Sequence, residues 1–439
     1  MAQGLDQGKM TDGRVSRSLV QTIDWHLIGC WLVLALIGVA SIFSAGHSAE
    51  GATLFDLGTR SGKQILWIGI SLAAGLLVLF VIKPHVWEEL AIPAWLVVVG
   101  LLGLVLLFGS TVNGSKSWFQ LGPVSFQPCE LSKITTSLVL AHFLRMPGFR
   151  IGRFRDFAMV LAVLGIPAAL ILAGGETGTL LVYLGYVFML YREGLSGWWL
   201  VFLFASVVLF VTAIKFPLWV SFALLALGIG VYVLVVRRRV HGLVARRNLA
   251  LAMLLVAVVG SAVIMSTNLA YEHVLRPHQR TRIDVLLGIK EDPMGAGYNV
   301  NQSMIAIGSG GFWGKGYLQG TQTAYGFVPE QSTDFIFCTI GEEFGFVGCA
   351  IVIMLFVFLI GRILRDAEGC REQFTRVYGY CLAGCFFMHM MINIGMTIGL
   401  MPVIGIPLPF ISYGGSSMLS FTVMLFVFLA LLRQERRYF

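Results

Sequence analysis

The chain has 439 residues, of which 57% are hydrophobic and only 12% charged, with a mean hydropathy of +0.82. No soluble domain of this length can hide so much apolar surface, so the composition excludes a soluble globular protein and leaves a polytopic membrane protein. The net charge of +8 needs no nucleic acid to explain it, because most of the basic residues lie where a membrane topology places them.

The first stretch, MAQGLDQGKMTDGRVSRSLVQ, is polar and has no apolar core before His26. The first apolar run is therefore expected to stay in the chain as a span. Runs able to cross ~30 Å of hydrocarbon follow near 26–45, 64–82, 91–110, 131–146, 157–174, 178–191, 197–214, 217–236, 249–267, 337–361, 377–400 and 415–432. The pattern predicts an all-α polytopic membrane protein of about 12 transmembrane helices, packed through small residues. The alternating ten-residue segments of a β-barrel are absent from the sequence.

With the N-terminus inside, the inner segments hold 21 of the 31 Lys and Arg residues, including RMPGFRIGRFR and RRRVHGLVARR. That asymmetry sets the orientation. Residues 1–25 then form a cytoplasmic segment, 26–433 a single transmembrane domain and 434–439 a cytoplasmic tail, with a long outer loop over about 268–336. The seven cysteines show no metal or redox spacing. Cys381 and Cys385 read as core packing, and His389 as a satisfied residue between helices.

Three polar clusters interrupt the apolar pattern. In TVNGSKSWFQLGPVSFQPCELSK, residues 111–133, Lys116, Trp118, Gln127, Glu130 and Lys133 gather around a turned segment. Glu130 and Lys133 share a helical face, either as a local ion pair or as a basic site for an anionic lipid headgroup. In the long loop, YNVNQSMIAIGSGG reads as an amphipathic helix stopped by glycines, and VPEQSTDFIF sets Glu330 and Asp334 at the mouth of an apolar helix. Asp334 suits a helix N-cap or an acid kept for chemistry. In NIGMTIGLMPVIGIPLPFISYGGSS, residues 393–417, Pro and Gly break the backbone at membrane depth. Such a break is tolerated only when buried or lining a polar cavity, which leaves enzyme and transporter both open.

Four stretches taken together, NGSKSWFQLGPVSFQPCELSK, GAGYNVNQSMIAIGSGGFWGKGYLQGTQ, VPEQSTDFIFCTIGEEFGFVG and NIGMTIGLMPVIGIPLPFISYGGSS, resemble the SEDS proteins of bacterial shape, elongation, division and sporulation. GKGYLQGTQ is closer to the family's rod-shape branch than to its division branch. The resemblance implies a peptidoglycan glycosyltransferase that polymerises lipid II at the outer face of the cytoplasmic membrane, with both termini inside. It implies as partners the nascent glycan strand, a class B penicillin-binding transpeptidase and other membrane proteins of the elongation machinery.

The family's essential acid falls on Asp334, expected as general base. Lys133 is the first choice for the pyrophosphate, oriented by Glu130 and assisted by Lys116 or Arg276, with Glu330 beside the substrate and Trp118 offering its ring to a sugar or isoprene. The reaction accommodates a divalent cation, Mg or Mn, between Asp334 and the diphosphate, although no ligand cluster demands one. The sequence departs from the family pattern at Cys129, where Ser is usual, at Ser117, where Arg is usual, and at Gly174–Glu176. A lipid II flippase is the competing reading, and a scaffold without activity is a third. The flippase would need essential polar residues on the cytoplasmic halves too, whereas here they gather outside.

The family implies ten spans, so two are expected as an insertion between Gly194 and Tyr271, with the basic turn 237–247 on the cytoplasmic side. A cysteine placed in that turn should resist a membrane-impermeant thiol reagent in intact cells and react once the membrane is opened. Labelling from outside would overturn this topology.

Overall fold

The computed structural model of the chain describes residues 22–50, 53–112, 115–121, 124–239, 241–275, 277–290 and 296–438. Four helices come first: α1 (Trp25–Glu50), α2 (Arg60–Phe80), α3 (Pro84–Glu89) and α4 (Ala91–Phe108). A small antiparallel sheet follows, made of β1 (Ser110–Val112), β2 (Ser115–Leu121) and β3 (Val124–Phe126) in that order. Then come α5 (Pro128–Leu144), α6 (Phe154–Ala173), α7 (Thr177–Tyr183), α8 (Tyr186–Arg192), α9 (Trp198–Lys215), α10 (Leu218–Arg237) and α11 (Leu243–Leu269). The long loop holds α12 (Pro277–Leu286), α13 (Ala296–Gly310) and α14 (Thr321–Ala324), and the chain closes with α15 (Ile336–Glu368), α16 (Gln373–Thr397) and α17 (Gly415–Tyr438).

Every predicted span coincides with helix, but only ten helices among the described residues are long and apolar enough to cross a membrane. The predicted span 131–146 falls on α5, which has 17 residues, most of them buried, with Glu130 and Lys133 in its first two turns. The predicted span 178–191 falls on α7 and α8, seven residues each, parted at Leu184–Gly185. Most of α5 and one side of α7 and α8 pack against protein, so they carry Ser, Thr and charged side chains that a lipid-facing surface would not. By length and composition alone, ten of the twelve predicted spans qualify, and these two shorter, buried helices are the remainder. The small sheet was not foreseen by an all-helical reading. Its strands flank Asn113–Gly114 and Gly122–Pro123, both sequence signals for tight turns.

The main core is built where α1, α5, α15, α16 and α17 meet, around Trp31, Leu140, Phe356, Phe386 and Phe426. By contrast, α9, α10 and α11 form a separate group with a small cluster of its own, Leu209, Ala213 and Ile264. These three helices cover the region in which the two inserted spans were expected, and most of their surface is exposed.

Within the long loop, the amphipathic helix predicted around YNVNQSMIAIGSGG is α13. Its glycines do more than stop it. A side chain at Gly310 would lie 2.0 Å from the Gly341 carbonyl oxygen, and one at Gly345 would lie 2.4 Å from the Gly314 nitrogen. At Gly345, with φ of +62°, the helix α15 is broken. The chain after α13 fills the break, where Phe346 N–H donates to Gly311 O at 2.9 Å and Lys315 N–H to Glu342 O at 3.0 Å. Only glycine allows backbone to meet backbone this closely. Gly345→Ala should destabilise the protein by more than about 1 kcal/mol. All seven cysteines are free and buried, so a thiol-reactive fluorophore in a thermal ramp reads the unfolding, and an unchanged midpoint would refute this packing.

Candidate active site

The short half of α15, before its break, begins beside loop 328–335, and that loop is held from two sides. From α16, the Asn393 side-chain amide donates to the Asp334 carbonyl at 2.9 Å and to the Ile406 carbonyl at 2.7 Å. From the broken segment, Ser412 Oγ donates to Thr333 O at 2.7 Å and Tyr413 N–H to Ser332 O at 2.9 Å. Glu330 occupies the left-handed region with φ of +55°, a strained conformation for a side chain of this kind. Its carbonyl accepts from the Thr333 and Phe335 N–H groups.

Asp334 is not a helix cap. The capping position is Phe335, and the Asp334 carboxylate has no hydrogen-bond partner among the described residues. It faces a cleft of about 550 Å³ lined also by Trp118, Glu130, Glu176, Gln279, Arg282, Glu330 and Tyr413. One carboxylate oxygen sits 3.0 Å from where a side chain on Gly405 would begin; Gly405, at φ of +78°, leaves the acid room. Burial raises the Asp334 carboxyl to about 7, with Glu330 and Glu176 adding to the rise and Arg282 opposing it. Glu176 is likewise raised, by burial first, although the Ser115 and Ser117 hydroxyls donate to it at 3.3 and 3.4 Å. Arg282 is lowered by burial and held up by Asp334 and Glu176. Several acids therefore share one cleft with one guanidinium, a field that admits a further cation or an acid's proton.

The predicted residues divide into three groups. Asp334, Glu330, Glu130 and Trp118 line the cleft together. Lys133 does not. It lies beneath the cleft floor, 1% exposed, donating to Glu130 Oε2 at 2.8 Å and to His389 Nε2 at 2.9 Å, with its ammonium 4.6 Å from the Phe421 ring centre. Since an ammonium only donates, His389 accepts at Nε2 and carries its proton on Nδ1, which donates to the Pro407 carbonyl at 3.1 Å. Lys133 thus braces Glu130 and the broken segment instead of facing an anion.

Lys116 points away as well, donating to the Leu107 carbonyl at 3.0 Å. Its backbone N–H bonds Gly174 O at 2.8 Å, which ties the sheet to the turn bearing Glu176. Arg276 lies outside the described residues.

The structure adds Arg282 and Asn393 to the site. Arg282 had a readable signal: Gln279 and Arg282 are three apart on α12 and share a face. Among the described residues no three His, Cys, Asp or Glu side chains are grouped as metal ligands.

The family model described as FtsW/RodA/SpoVE, cell cycle protein, matches residues 24–241 and 226–438, so two stretches together account for most of the chain. The chain is 33% identical to the peptidoglycan glycosyltransferase RodA of Treponema pallidum, covering 91% of this chain and 95% of that one. It is also 33% identical to the peptidoglycan glycosyltransferase MrdB of Escherichia coli K12, covering 88% of each. Among solved structures it superposes on a peptidoglycan synthase complex that coordinates polymerization and crosslinking, with a TM-score of 0.68, 24% identity and coverage of 95% and 98%. It superposes on the rod-shape-determining protein RodA of Thermus thermophilus with a TM-score of 0.59, 24% identity and coverage of 94% and 97%.

Removing one partner of the buried Glu130–Lys133 pair leaves an uncompensated charge, which costs about 3–5 kcal/mol. Lys133→Met should therefore lower thermal stability sharply. Adding Glu130→Gln should restore much of it, because no bare carboxylate then remains. Equal stability of the single and double variants would contradict this arrangement.

Proposed function

The chain belongs to the FtsW/RodA/SpoVE family, and from that membership and the cleft around Asp334 we propose how it works as a peptidoglycan glycosyltransferase. Its substrate is lipid II, joined into β-1,4 glycan strands for cell elongation and rod shape. The cleft faces outward across the cytoplasmic membrane, and both termini lie inside. A class B penicillin-binding transpeptidase, bound beside it in the membrane, cross-links the strands. The likeness to a complex that couples polymerization with crosslinking supports that pairing.

Joining two units requires the 4-hydroxyl of an acceptor GlcNAc to attack the anomeric carbon of a donor. The Asp334 carboxylate takes the hydroxyl proton as the new C–O bond forms. The bond from the anomeric carbon to the diphosphate breaks, and undecaprenyl diphosphate leaves from the opposite face. An α-linked donor gives a β-linked product, so one base suffices and no glycosyl-enzyme forms. A positioned base contributes ~10²–10⁴-fold, most when its pKa lies near the working pH. The observation that carries the proposal is Asp334 itself, its carboxyl raised to about 7 and without a hydrogen-bond partner among the described residues, in a cleft with Arg282.

Negative charge grows on the leaving diphosphate, and fixed donors around it stabilise the transition state without reorganising. Arg282 fills this role in place of Lys133 and Lys116, with Gln279 beside it. Glu130 holds the cleft wall through Lys133, Glu330 meets sugar hydroxyls, and Trp118 offers an apolar ring face.

Purified Asp334→Asn protein should make no polymer from labelled lipid II, and yield within a few-fold of wild type would sink the assignment. For the wild type, the rate should rise with pH and level off above about 7, because the base works only deprotonated. The same raised pKa means that the fold holds this proton more tightly than the unfolded chain does. Stability contributed by the group is present below about 3.8 and lost as pH rises through about 7. Asp334→Asn should accordingly melt higher than wild type at pH 8, and the gap should narrow as pH falls and close only below about 3.8.

A further inference from the structure

A second cleft, of about 530 Å³, lies on the other side of the same loop. Glu330 lines both clefts, and the adjoining Gln331 and Ser332 face this one while Thr333 and Asp334 face the first. Its cationic wall is the first turn of α2, where Arg60 and Lys63 stand three apart on one face. Arg60 donates to Ser332 Oγ, so it touches the loop that carries the catalytic acid. The Lys63 ammonium has no partner among the described residues. The opposite wall is apolar, formed by Ile42, Phe43 and Ala45 of α1 with Val328.

Polymerisation brings together two molecules that each carry a lipid diphosphate, and the reaction treats the two differently. The donor's diphosphate leaves from the carbon under attack, so it must lie next to Asp334, where Arg282 is. The acceptor keeps its diphosphate, which sits at the far end of its disaccharide from the attacking hydroxyl. Its anionic end must therefore lie away from Asp334 but in a space continuous with it. The second cleft meets those requirements: it adjoins the first at Glu330, it holds two cations for the two charges of a diphosphate diester, and its apolar wall suits the first isoprene units.

We infer that the Arg60–Lys63 cleft binds the diphosphate of the acceptor lipid, while the Arg282 cleft binds that of the donor. The inference rests on the polymerase reading above. After each transfer the lengthened strand hangs on the acceptor's diphosphate, so it must pass from the Arg60–Lys63 cleft to the Arg282 cleft before the next round.

The test counts lipid II bound to the full-length Asp334→Asn protein, which does not turn over, by native mass spectrometry in detergent. Two molecules of lipid II are expected per chain. Arg60→Gln with Lys63→Gln should leave one, with affinity for the lost molecule down at least tenfold, and Arg282→Gln should remove the other. Both sets of residues are polar and at cleft walls, and an unchanged melting midpoint confirms that each variant is folded.

Two molecules still bound to the Arg60→Gln, Lys63→Gln protein would overturn the inference and leave the polymerase reading intact. Binding of none by the parent protein would overturn both. A competition arm separates the sources of the anion. Displacement of the second molecule by equimolar phosphatidylglycerol would make the cleft a general phospholipid site and overturn the inference, whereas displacement by undecaprenyl diphosphate alone supports it.

Discussion

The side-chain amide of Asn393 holds together the two stretches of irregular backbone that frame the chemistry. Its two N–H groups reach the carbonyls of Asp334 and Ile406, which belong to different non-helical segments. At this depth no water is at hand to satisfy free backbone groups, so each such carbonyl needs a protein donor. Asn393 is buried within α16 and its own Oδ1 has no partner among the described residues, a penalty of about 1–3 kcal/mol for a group left unbonded. The fold tolerates that loss because the same residue sets Asp334 against Gly405 and opens the cleft between them.

Around this clamp the charges are layered. The cleft itself carries mostly acids, whose mutual repulsion and burial keep Asp334 poised to exchange a proton near neutrality. The compensating ammonium of Lys133 lies underneath, shared between Glu130, His389 and the Phe421 ring. A lysine exposed to the cleft would pair with Asp334 and pull its pKa down, weakening the carboxylate as the base of the proposed reaction. Keeping Lys133 below the floor lets it order the wall without quenching the acid. The guanidinium left in the cleft, Arg282, is on a helix of the outer loop and meets the acids at a distance set by that loop's packing.

How much of this was legible in the chain depends on the range of the interaction. The long helices could be read because a run of some twenty apolar residues has few other fates. The Glu130–Lys133 pair could be read because it is local, three residues apart on one helix. What spacing could not give was the direction in which the pair faces, and so Lys133 was expected at the substrate. The direction depends on His389, 256 positions away. Lys116 was misplaced because the strands were not foreseen: alternation in β2 turns Ser115 and Ser117 toward Glu176 and sends Lys116 the other way. Asn393 gave no signal at all, since its partners are backbone carbonyls, which every residue has. Asp334 was singled out through resemblance, because spacing alone suits a helix cap equally well.

The separate cluster of Leu209, Ala213 and Ile264 bears on how such a protein can change over generations. A helical unit that closes on its own small core imposes few demands on the residues beside it. None of its cluster residues takes part in the clamp at Asn393. The family model matches the chain in two stretches that overlap within this region, over residues 226–241. A substitution on that exposed flank therefore leaves the bonds that position Asp334 untouched.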